Sequence, residues 1–75
     1  METYEFSVLH RDATIAVEYA ALPPTLSAIL VRLAKLVATI DHDDCDIRVS
    51  NGSGEQVIAM GIMTARRSLG LGFAV

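Results

Sequence analysis

Pro23-Pro24 is the feature that most constrains this chain. Neither proline can donate to a strand ladder, and a residue preceding proline is pushed out of the helical region. Whatever forms on the N-terminal side must therefore finish before position 23. Those first residues alternate. Tyr4, Phe6, Val8 and His10 fall on one side of a strand, and Glu5, Ser7 and Leu9 on the other. His10-Arg11-Asp12-Ala13 interrupts the pattern, as a tight turn does. The alternation resumes over Thr14 to Tyr19, where Ile15, Val17 and Tyr19 oppose Ala16 and Glu18. β-branched and aromatic residues favour a pleated strand. The N-terminal segment is expected to be a hairpin.

Beyond the prolines the period changes. Thr25 is placed to cap a helix running from Leu26 to about Ile40 or Asp41, in a stretch rich in Leu, Ala, Arg and Lys. At about 100° per residue, Leu26, Ile29, Leu30, Leu33, Leu36, Val37 and Ile40 share one wide apolar face. The polar arc of Thr25, Arg32, Lys35 and Thr39 is narrow. A helix with its back in water shows a broader polar arc. This one is expected to be covered on more than one side, with Leu30, Leu33 and Val37 in the core.

An acidic connector, Asp41-His42-Asp43-Asp44-Cys45-Asp46, leads to a second alternating run, Ile47 to Ser50. Asn51-Gly52-Ser53-Gly54 is the clearest turn, because Asn and Gly tolerate positive φ. Glu55 to Met63 then reads as a returning strand with two apolar faces: Val57, Ala59, Gly61 and Met63 on one, Ile58, Met60 and Ile62 on the other. The final segment, with Leu69-Gly70-Leu71-Gly72-Phe73, has glycines at alternate positions and disfavours helix. The expected fold is α+β: a ββαββ domain over residues 1–64, an antiparallel four-stranded sheet with one helix packed on one face, and a C-terminal tail over 65–75.

Tyr4-Glu5-Phe6-Ser7-Val8, Leu22-Pro23, and Ile47-Arg48-Val49 followed by Gly52, Gly54 and Val57 together resemble very short bacterial ββαββ proteins of unassigned function. The similarity spans roughly residues 3–64, although the helix here is less charged. It implies a fold and no activity. The first half also resembles small antitoxin-type domains, in which a sheet and one helix bind a partner toxin.

Chemistry is sparsely signalled. His42-x-x-Cys45 has ligand-like spacing and His10 is available to join it, but zinc needs three or four ligands. The aspartates do not follow the EF-hand pattern: counting from Asp41, position twelve is Gly52 rather than glutamate. Cys45 lies between two aspartates, which disfavour its thiolate. Gly52-Ser53-Gly54 lacks the Gly-Lys-Ser/Thr of a phosphate loop. Arg66 and Arg67, with Arg48, make at most a small basic patch on a chain of net charge −3, so nucleic acid is not expected as a partner. No catalytic residue, metal site or cofactor is expected. The acidic start lacks a secretory signal's pattern, no apolar run suits a membrane, and one cysteine fits a reducing cytoplasm.

Hydrophobic residues make up 52% of the chain, much for a domain of this size. Small domains bury only about 60% of their unfolded surface. The surplus implies an interface, and a homodimer is the commonest form. Ile58, Met60, Ile62, Leu69 and Phe73 are the expected interface residues. The functional expectation is a non-catalytic, self-associating protein-interaction module. The alternatives are an antitoxin-like domain that binds a protein partner, and a small ligand- or metal-binding protein using His10, His42 or Cys45.

Overall fold

A computed structural model describes residues 1–69. Its elements are β1 (Glu2–His10), β2 (Ala13–Leu22), α1 (Leu26–Val37), β3 (Cys45–Ser50), β4 (Gln56–Gly61) and α2 (Ile62–Ser68). The four strands form one antiparallel sheet in the order β2-β1-β3-β4. Both hairpins and the intervening helix are as expected, and the class is α+β. Strand order, which periodicity does not encode, puts β1 at the centre. There it pairs with β2 through a tight turn and with β3 after the helical crossover.

Period two decides what each strand buries. Tyr4, Phe6 and Val8 of β1 and Cys45, Ile47 and Val49 of β3 all lie on the helix-covered face. Phe6 and Val8 are 1% exposed, and Ile47 and Val49 are fully enclosed. Burying side chains of this size contributes roughly 1.5–3 kcal/mol each. From above, α1 supplies Ile29, Leu33, Leu36 and Val37, with Leu30 and Ile40 partly buried beside them. Leu26, at the head of the helix, is exposed instead.

Thr25 caps α1 as expected: its side chain accepts a hydrogen bond from the Ala28 amide at 3.3 Å. The helix ends at Val37, earlier than its apolar period suggested. The Thr39 and Ile40 amides bond back three residues, to the Leu36 and Val37 carbonyls, tightening the final turn. The Thr39 hydroxyl also donates to the Leu36 carbonyl.

The single-helix expectation needs correction. β4 stops at Gly61, and the chain turns at Ile62 into a second helix. Met, Ala and Arg favour that conformation. Ile62, Ala65 and Leu69 recur at a helical spacing; Ile62 and Ala65 are buried in the core cluster and Leu69 packs, partly buried, against it. Ile62 and Met63 fit a strand's alternation as well as a helix's period, which is why the strand is expected to run to Met63. Ala65 also shows that the packed unit runs past the expected boundary at 64. The second cover anticipated for α1 is this helix, since α1 and α2 lie against each other.

The register decides which face of β4 meets the helices. Met60 pairs with Ile47 and Ile58 with Val49, so both point toward the helices. The reverse face carries Thr3, Glu5 and Ser7 of β1, Val17, Tyr19 and Ala21 of β2, Asp46, Arg48 and Ser50 of β3, and Ala59 of β4. It is mixed in polarity, and no helix among the described residues packs on it.

Candidate functional site

Two places carry more than packing requires. The first is β2, an edge strand of ten residues. Its core-facing positions are mostly small, Ala16 and Ala20, and only Glu18, Ala20 and Leu22 are even partly buried. Val17 and Tyr19 stand exposed on the reverse face, where the Tyr19 hydroxyl donates to a Glu5 carboxylate oxygen at 2.9 Å. That bond, with the negative charge behind it and some desolvation, raises the Tyr19 pKa. A bulge between Val8 and Leu9 displaces Ile15 from the alternation. Ile15 instead borders a cavity of about 240 Å³ with Val8, Leu36, Ile40 and His42. Glu18 is the one charged residue of the strand, and Arg32 of α1 neutralises it at 3.0 Å.

The strand therefore offers an unpaired backbone edge with exposed apolar side chains and no free charge. Natural sheets protect their edges with charges, prolines or short strands. The opposite edge, β4, carries no charged residue, but it has six residues and runs straight into α2.

The second place lies where the acidic connector meets the end of β1. His10 pairs with Cys45 in the sheet register, which brings the preceding Asp44 alongside His10. His10 Nε2 and Asp44 Oδ2 are 2.9 Å apart, with Arg11 Nε 3.8 Å from the same oxygen. Burial alone would raise the Asp44 carboxyl pKa; the His10 hydrogen bond and charge, aided by Arg11, bring it below the ordinary value. The His10 and His42 rings stack, centroids 5.2 Å apart and planes inclined by 25°. One ligand atom from each of His10, His42 and Asp44 lies within 4.8 Å of the others.

Arg66 holds the connector in place. Its guanidinium donates to the Asp43 carboxylate at 2.6 Å and to the main-chain carbonyls of Ile40 at 2.9 Å and His42 at 3.2 Å. A planar fork of donors suits three acceptors in a way a lysine ammonium does not. It also satisfies a carbonyl just beyond the end of α1.

The structure places the sequence-derived candidates as follows. His10 and His42 come together, joined by Asp44 rather than Cys45. Cys45 is buried, and burial, with Asp44 and Asp46, raises its thiol pKa against a smaller opposing effect of Arg66. Arg66 is engaged with the connector instead of presenting a basic patch with Arg48, which lies on the far face. Ile58, Met60 and Ile62 contribute to the chain's own core, and Leu69 packs partly against it. Phe73 lies outside the described residues. Arg66 as a clamp and Asp44 as His10's partner had no local sequence signal, because both depend on sheet register and on α2.

Compared with known proteins, the chain matches no family model, no curated protein and no solved structure. No helix among the described residues is long and apolar enough to cross a membrane.

Proposed function

We propose that the protein is a self-associating interaction module whose contact is edge-to-edge pairing of β2 with β2 of a second copy. The observation that carries this reading is the long, exposed edge whose one charge, Glu18, is paired with Arg32, with Val17 and Tyr19 beside it. Antiparallel pairing about a two-fold axis matches a strand with itself and yields one continuous sheet of eight strands. Main-chain hydrogen bonds supply the contact, and apolar side chains near Val17 meet across the axis. The pairing brings no unneutralised like charges together, because Glu18 is held by Arg32 within its own chain. A two-fold arrangement closes, whereas β2 pairing with β4 of the next copy would continue indefinitely.

This reading relocates the interface from Ile58, Met60 and Ile62 to β2. Light scattering on eluted fractions tests it. The parent chain is expected at twice the chain mass, Val17→Lys at the single-chain mass, and Val57→Lys, on β4, unchanged from the parent. A single-chain mass for the parent overturns the proposal. A dimer lost only in Val57→Lys moves the contact to β4, and an open-ended series of larger species supports β2-to-β4 pairing instead.

A further inference from the structure

We propose that His10, His42 and Asp44 form a binding site for one divalent transition-metal ion of the zinc class. Two imidazoles and one carboxylate are the donor set that borderline-soft cations prefer, and three protein ligands leave one tetrahedral position open. The geometry is nearly assembled. Ligand atoms on a tetrahedral zinc ion lie about 3.3 Å apart, given metal–ligand distances near 2.0–2.1 Å. His10 Nε2 and Asp44 Oδ2 are already 2.9 Å apart, and the widest separation in the trio is at most 4.8 Å. His42 is exposed, so rotation of its side chain can close the remaining gap.

The surroundings are arranged for a cation. Asp41 and Asp46 flank the trio in sequence and add negative potential. The charge of Arg66 is offset by Asp43. The same guanidinium fixes the carbonyls of Ile40 and His42, which sets where the His42 ring stands. Arg66 is therefore a positioning residue, comparable to the outer partners that orient metal-binding histidines. Metal uptake displaces the His10–Asp44 hydrogen bond and draws Asp44 from Arg11. The ligands come from one chain, so the site is independent of whether β2 pairs.

The test is calorimetric titration of the tag-free chain with Zn²⁺, with Co²⁺ as the spectroscopic probe. The expected result is one ion per chain and a visible Co²⁺ band of tetrahedral type. His42→Ala and Asp44→Asn, both at exposed positions, should each weaken uptake at least about 10-fold while circular dichroism stays at the parent level. Repeating the titration in Val17→Lys separates this inference from the dimer reading, and equal uptake there is expected. Absence of uptake by the folded parent overturns the inference. So does uptake unaffected by both ligand variants, or a stoichiometry of one ion per two chains.

Discussion

The two hairpins follow one plan and end differently. In the second, β3 is buried at every other residue, and β4 returns with Ile58 and Met60 against the core before α2 closes over it. In the first, β1 is buried just as deeply, but β2 returns with alanines on the core side and stays open along its length. Their turns differ in the same sense. The second hairpin places Gly54 at φ 84°, where a side chain would be strained, whereas the first places Arg11 and Asp12 at φ 53° and 66°. Both hairpins end in an edge strand, but β4 has six residues and leads straight into α2. The β2 edge is ten residues long and has no helix following directly on it, which is why β2 is the element assigned to a partner.

The contrast can be broken first at the core. In urea unfolding of the dilute chain, Ile47→Ala and Ile62→Ala are each expected to cost about 2–5 kcal/mol. Val17→Ala should stay within about 0.5 kcal/mol there, as exposed substitutions do. Similar costs for Ile47 and Val17 would mean that β2 is as well covered as β3. Next in size is the clamp: Arg66→Ala should lose about 1–3 kcal/mol, with Arg66→Lys recovering only part of it. Full recovery by lysine would show that charge alone, rather than the three-way fork, holds the connector. At the turns, Asp12→Gly is expected to stabilise by about 0.5–1 kcal/mol and Gly54→Ala to destabilise by a similar or larger amount. Thermal melts of the two variants moving in the same direction would contradict the turn contrast.

The smallest effect is electrostatic. Asp44 titrates lower in the folded chain than when unfolded, so its contribution is present above the ordinary carboxylate value, near 4. It is lost as pH falls through the depressed folded value. Replacing His10 by Gln should shrink that acid-side dependence, as read by urea unfolding across an acidic pH series. An unchanged dependence would mean that His10 does not hold Asp44 down.

Much of this plan is legible in the residues. Pro23-Pro24, Thr25 and the Asn51–Gly54 turn mark real boundaries, and the alternation of Tyr4, Phe6 and Val8 identifies the buried face of β1. Three features are not legible. The switch at Ile62 is masked because a short apolar run satisfies both strand and helix periods. The bulges at Val8/Leu9 and Val49/Ser50 shift side chains off the alternation without a glycine to announce them. The His10, His42 and Asp44 grouping depends on β1 pairing with β3 across a helix, a long-range choice that no local spacing encodes.

Hydrogen exchange at the β2 amides, followed from dilute to concentrated solution, tests the edge-pairing account most directly. The account predicts that the outward-facing amides between Ala13 and Leu22 become slower to exchange as concentration rises, while β4 amides do not change. Rapid exchange of those β2 amides at every concentration would contradict it.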